Sequence, residues 1–323
     1  MAGPAFLARA IESLRLDGGA WRRLAQAGSV HAPEWFKRSM PPLVAAIVFA
    51  LAADRRRGAI RNLERVLHTD RWTARFAALR LFSDFARCTS EAMEQYSKRP
   101  GPLRIDRPAD DAVRAALADG HGVVVLTGHL GNWDVAAKAL WDFGSSRVNV
   151  VMASEANPTS QALARATREQ AGVRVVHSDA SVFSSLGLIS ALRRNEVVAI
   201  QLDRPHAAGG VRLLPFLGAP APFPSGPFVL ARVARSPVVP VFVPRIGRRH
   251  YAVEVGERID VPPDARDPAV LDQVMQRAVR QLEDAVRRHP TQWFQFEPFW
   301  PETDEPDAGA IGAPPAATDT RSA

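Results

Sequence analysis

Gly122-Val123-Val124-Val125-Leu126-Thr127-Gly128-His129-Leu130-Gly131-Asn132-Trp133-Asp134 is the stretch that decides the fold. Its first half is a short apolar run rich in β-branched residues and bounded by glycine, the pattern of a strand buried on both faces. Two glycines then allow a tight bend, and Trp133 to Phe143 reads as a helix. Strand, turn and helix in that order form half of a βαβ unit. Downstream the alternation repeats: strand Arg147 to Met152, helix Pro158 to Ala171, strand Val173 to Val176, helix Val182 to Arg194, strand Glu196 to Leu202, helix Phe228 to Ala234, strand Val238 to Pro244. The expected class is therefore α/β, with a mostly parallel central sheet flanked by helices. Tyr251 to Gly256 adds a candidate edge strand, and Ala269 to Arg288 a long amphipathic helix.

Upstream, the break Arg99-Pro100-Gly101-Pro102 separates this region from an N-terminal helical extension, in which apolar residues such as Trp72, Phe76, Leu79, Phe82 and Phe85 recur three and four apart. Three segments follow: a helical, membrane-associating region (1–100), a catalytic domain (101–300) and a disordered tail (301–323) rich in Pro, Ala, Gly and Asp. Residues 1–100 hold 17 Lys and Arg against nine Asp and Glu, within a chain of net charge +7. Trp35, Phe36, Lys37 and Arg38 precede the apolar run Leu43 to Leu51, and Arg55, Arg56 and Arg57 follow it. Aromatics and arginines flanking a short apolar helix fit an interfacial anchor on an anionic membrane surface, and a plain core helix fits equally well. No run approaches the roughly 20 apolar residues of a spanning helix, and the first residues lack the apolar core of a signal peptide. A single cysteine, Cys88, excludes an internal disulfide and cysteine-rich metal sites. The basic residues are not interleaved with a recognition motif, so no nucleic-acid partner is expected.

The chemistry-bearing residues cluster behind the first strand, where ligands of open α/β sheets gather. His129 and Asp134 are five apart, which on one continuous helix would set them ~140° apart. With the histidine in the glycine bend and the aspartate in the first helical turn, carboxylate and imidazole can meet. Asp134 would then take the Nδ1 proton and leave Nε2 as a base toward a hydroxyl. Backbone amides at the helix start, or a nearby cation, are candidates to meet the oxyanion. The competing reading is a loop histidine capped by an aspartate with no catalytic task. The chain has no Gly-x-Ser-x-Gly elbow, Walker A loop or His-Glu-x-x-His motif.

The segment Gly128 to Asp134 resembles the His-x4-Asp/Glu motif of the lysophospholipid acyltransferase superfamily, in the form found in bacterial lipid A biosynthesis (lauroyl/myristoyl) acyltransferases. Further blocks follow in that family's order: Asn157-Pro158, Gln201-Leu202-Asp203-Arg204, Pro215-Phe216-Leu217-Gly218, Pro224-Ser225-Gly226-Pro227 and Ser236-Pro237-Val238-Val239-Pro240. The similarity runs from about Trp35 to Trp300 and includes Arg61-Asn62-Leu63.

The resemblance implies a sandwich of helices around a sheet, located peripherally on the cytoplasmic face of the bacterial inner membrane. It implies transfer of a fatty acyl group from an acyl carrier protein or coenzyme A thioester to a hydroxyl of a lipid A-like or other glycolipid, with no cofactor. Carried over residue by residue, His129 is the general base and Asp134 its partner. Asp203 and Arg204 form an acidic and basic pair near the site. Asn132, Arg212, Gly218, Ser225 and Gly226 match regions bordering acceptor and acyl chain. Glu155 stands where related mannoside acyltransferases use a glutamate downstream of the histidine. The ending Trp293-Phe294-Gln295-Phe296-Glu297-Pro298 departs from the His-Arg-Arg ending of lipid A enzymes. A non-catalytic lipid-binding protein of the same fold and a thioesterase or hydrolase are the alternatives.

Overall fold

The computed structural model describes residues 19–95, 97, 100–106, 110–133, 135, 147–152, 173–177, 182–204 and 210–301. Among the described residues four helices come first: α1 (Gly19–His31), α2 (Glu34–Leu51), α3 (Ala53–Leu67) and α4 (Arg71–Gln95). After strand β1 (Arg104–Asp106) and helix α5 (Asp110–Ala118) come β2 (Val123–Thr127), β3 (Val148–Met152), β4 (Val173–His177), α6 (Val182–Arg193) and β5 (Val197–Gln201). The remainder holds β6 (Val211–Phe216), β7 (Ala219–Pro224), α7 (Gly226–Ala234), β8 (Val238–Phe242), β9 (Arg245–Gly247), β10 (His250–Ala252), β11 (Glu254–Val255) and α8 (Pro268–Arg288). The protein is thus a mixed α/β fold.

The largest sheet has the order β11-β8-β2-β5-β3-β4. Neighbours from β8 to β4 pair in parallel, and only the two-residue edge β11 runs antiparallel. Side chains alternate along each strand, and the core divides accordingly. Val123, Val125, Val197, Ala199 and Val241 join one apolar cluster with α2, α3, α4 and α5. Val124, Leu126, Val198, Val238 and Phe242 join the other, with α6, α7 and α8. Both sheet faces are therefore covered by helices, which is why these strands read as unbroken apolar runs.

The structure revises one expectation and adds one element. Tyr251 to Gly256 is not one edge strand: β10 belongs to a separate three-stranded sheet, β1-β10-β9, and only β11 reaches the large one. Val211 to Pro224 forms an antiparallel hairpin, β6-β7, that the sequence pattern does not announce. Its loop is Leu217-Gly218, both residues with positive φ, as a type I′ hairpin turn requires. The helices expected over Trp133 to Phe143 and Pro158 to Ala171 lie largely or wholly outside the described residues, as does the tail beyond residue 301.

The front helices are joined to the rest through the C-terminal segment. Asn62 on α3 donates to the carbonyls of Gln295 and Glu297 and accepts the Phe299 amide. Gly58 lies so close to this segment that a Cβ there would collide with the Phe296 carbonyl oxygen. No single helix among the described residues is long and apolar enough to cross a membrane, and α2 and α3 meet at 99°.

Candidate active site

Strand order places the site. β2 is central and pairs with β5, with Thr127 opposite Gln201. The Leu202 amide donates to the Thr127 carbonyl at 2.7 Å, so the two chains leave the sheet together. His129 and Asp203 each lie two residues past that last pair, which sets them side by side at the strands' carboxyl ends. His129 Nδ1 is 2.8 Å from Asp203 Oδ1, and the His129 backbone amide donates to Asp203 Oδ2 at 2.8 Å. The Trp293 indole donates to the same Oδ2 at 2.9 Å, and the Gln295 amide donates to the Asp203 carbonyl.

Asp203 is buried, and burial by itself pushes its carboxyl up. The His129 ring and amide and the Trp293 indole outweigh that and hold it well below the usual carboxylate range, at about 2. An ionised carboxylate accepts only, so the Nδ1 facing it carries the proton, and in the neutral ring that leaves the lone pair on Nε2. Trp293 is fixed in turn by Phe216, Phe299 and Trp300, with ring centroids 5.0 to 6.0 Å away.

The bend behind β2 is held by its backbone. Gly131 has φ +67°, and a Cβ there would collide with the Val243 carbonyl oxygen. The Gly131 amide donates to the Gln292 carbonyl, the Asn132 amide to that of Val243, and the Phe294 amide to that of His129. The amides of His129, Gly131 and Asn132 are therefore engaged, and none of the three is open to an oxyanion. The Asn132 side chain is buried, donating to the Cys88 carbonyl and the Tyr251 hydroxyl and accepting from the Val135 amide. Burial pushes the Tyr251 phenol up, so it stays protonated and donates to Glu91, which also takes Arg245. Asn132 thus anchors the turn rather than facing a substrate. Cys88 is buried and its thiol is pushed up by burial, which leaves it no nucleophilic role.

The imidazole opens onto a cavity of about 620 Å³. Phe82, Phe85, Phe294, Phe296 and Phe299 form aromatic walls; Arg55, Arg204, Gln295 and Glu297 add polar groups. The cavity therefore combines an apolar interior with a few polar groups around one oriented imidazole, as small-molecule sites commonly do.

Residues 29–302 match the family described as bacterial lipid A biosynthesis acyltransferase. The chain belongs to that family. Two phosphatidylinositol mannoside acyltransferases of Mycobacterium tuberculosis, from strains H37Rv and CDC 1551, are 28% and 27% identical to it over 192 residues. That stretch is 59% of this chain and 58% of each relative, so the match leaves much of the relatives' length uncovered.

Of the residues that family resemblance singles out, His129, Asp203 and Arg204 meet at the cavity. Arg212 instead makes a bidentate ion pair with Asp272 on α8, at 2.6 and 2.5 Å. Gly218 sits at the hairpin tip, and Ser225 and Gly226 lead into α7. None of these four is part of the described lining, to which this hairpin contributes Pro222. Asp134 and Glu155 lie outside the described residues. The Nδ1 contact that the sequence reading gives to Asp134 is made here by Asp203. Sequence reasoning missed the aromatic walls and the bracing of Asp203 by Trp293 and Gln295; the unusual ending Trp293 to Pro298 was the one signal pointing to that segment.

Proposed function

We propose that this family member is an O-acyltransferase that moves a fatty acyl group from an acyl thioester to a hydroxyl of a glycolipid. The observation that carries the reading is the imidazole of His129, oriented by a buried carboxylate and opening onto an aromatic-walled cavity. In the step proposed, Nε2 takes the hydroxyl proton as the oxygen attacks the thioester carbonyl. The tetrahedral intermediate collapses by breaking the C–S bond, and the proton passes from Nε2 to the departing thiolate. Asp203 fixes the tautomer and stabilises the imidazolium, as the carboxylate of a triad does. The mannoside named for the mycobacterial relatives supports a sugar-bearing acceptor, and acyl-carrier-protein or coenzyme A thioesters supply the donor chemistry.

The setting we propose is a bilayer surface. Leu43, Val44, Ile47 and Leu51 on α2, and Trp72, Phe76 and Leu79 on α4, are exposed. The two helices pack on each other, Phe49 on α2 meeting Phe82 and Arg75 on α4. Val48 and Phe82, on these same helices, line the cavity. At roughly 1.5 to 3 kcal/mol for a fully buried large apolar side chain, even partial insertion of these residues favours lipid contact. Flotation with anionic vesicles at low salt should carry the protein to the lipid layer, and Ile47→Asp/Phe76→Asp should leave it behind; equal flotation of both would remove the bilayer from the reading.

Acyl transfer itself is tested by incubating the protein with palmitoyl-CoA or palmitoyl-acyl carrier protein and a bacterial lipid extract, followed by mass spectrometry. A glycolipid heavier by one acyl group supports the proposal. Release of free fatty acid at the full rate without added lipid would favour a hydrolase.

A further inference from the structure

Three consecutive arginines stand at the corner where α2 turns into α3, and they have different fates. Arg56 donates to the Phe49 and Ala50 carbonyls, closing the C-terminus of α2, and its guanidinium lies over the Phe49 ring. Arg57 is ion-paired with Asp54. Arg55 has no ion pair or hydrogen bond among the described residues, is exposed, and lines the cavity that holds His129. A second guanidinium in that lining, Arg204, is likewise exposed and without a carboxylate partner among the described residues. Its neighbour Asp203 is already taken up by His129 and Trp293. Glu297 is the remaining carboxylate of the lining and pairs with neither arginine.

Two uncompensated guanidiniums beside an aromatic-walled cavity suit an anion carried on an acyl chain. Guanidinium groups match phosphate oxygens in a planar, two-pronged geometry. The exposed Leu51 stands four residues before Arg55, so the residue that lines the cavity closely follows the proposed bilayer face in the chain.

We propose that Arg55 and Arg204 form a phosphate-binding site that holds the charged part of an acyl-bearing substrate while its chain occupies the aromatic cavity. The inference rests on the acyl-transfer reading for what the ligand is, but not for whether it binds. Two substrates carry the required chemistry: the phosphate-rich carrier of a coenzyme A or phosphopantetheine thioester, and the phosphate of a lipid acceptor.

The test is calorimetric titration of the full-length protein with monomeric lauroyl-CoA, with dodecyl phosphate and with the uncharged dodecyl glucoside. It compares wild type, Arg55→Gln, Arg204→Gln, the double variant and the charge-preserving Arg55→Lys, with circular dichroism verifying the fold of each. Each Gln variant should weaken a phosphate-bearing ligand about tenfold, comparable to losing one well-placed charge contact. The glucoside should bind all variants alike, and Arg55→Lys should recover part of the affinity. Loss confined to lauroyl-CoA names the donor as the source, loss confined to dodecyl phosphate names the lipid, and loss in both leaves a shared site. The proposal is overturned if phosphate ligands bind every variant within twofold of wild type, or if the glucoside weakens equally. A wild type that binds phosphate ligands through these arginines yet transfers no acyl group would leave the site standing and remove the acyl-transfer reading.

Discussion

Replacing Asp203 with Asn probes the dyad at a single atom. Oδ2 of Asp203 receives two donors, the His129 amide and the Trp293 indole, whereas Oδ1 receives only the imidazole. An asparagine in the same place does best by turning its oxygen to the pair of donors, which points its NH2 at His129 Nδ1. Nδ1 must then accept, so the ring proton moves to Nε2 and the base is lost. General-base catalysis contributes about 10²- to 10⁴-fold, and at 1.36 kcal/mol per decade the barrier rises by roughly 3 to 5 kcal/mol. The assay is initial-rate transfer from a radiolabelled palmitoyl thioester to lipid acceptor, with near-ultraviolet circular dichroism confirming native packing. A folded Asp203→Asn protein with kcat within threefold of wild type would refute the orienting role of Asp203. If Asp203→Asn kept its rate while Asp134→Asn abolished turnover, the orienting role would pass to Asp134.

Other perturbations follow from the same geometry. Trp293→Phe removes one of the donors to a buried carboxylate; it should cost roughly 1.5 to 3 kcal/mol in urea unfolding while lowering kcat less than Asp203→Asn, because the Nδ1 contact survives. Gly131→Ala meets both a positive φ and the Val243 carbonyl, so unfolding should show a loss on the order of 2 kcal/mol or more; an unchanged midpoint would mean the turn is not held as described. The Asp203 carboxyl is depressed in the folded state, so its contribution to stability is present above about pH 4 and is lost as pH falls toward about 2. Stability of Asp203→Asn should consequently decline less than that of wild type across this window, as followed by thermal melts from pH 5 to pH 2.

The parallel strands were legible because burial on both faces leaves continuous apolar runs such as Val123 to Leu126, bounded by glycine and charge. The β6-β7 hairpin was not, since Pro215, Pro220, Pro222 and Pro224 interrupt its ladder and its pattern. His129 announced itself through its glycine-rich bend. The family resemblance puts Asp203 near the site, yet its pairing with His129 depends on β5, not β3, lying beside β2. Strand order is a tertiary outcome that no local spacing encodes, and 74 residues separate the partners. The bracing segment 290–299 is largely irregular, so it has no periodicity to read. Its aromatic density was visible, but its role was not. In the sequence Arg55, Arg56 and Arg57 form a single charge cluster, and only side-chain partners distinguish the three.

The most direct measurement is the transfer rate of His129→Ala with palmitoyl thioester and glycolipid, the protein shown folded by circular dichroism. Loss of the base predicts a fall of about 10²- to 10⁴-fold, with binding of the thioester retained. A folded variant that transfers acyl groups at the wild-type rate would contradict the proposed chemistry at its centre.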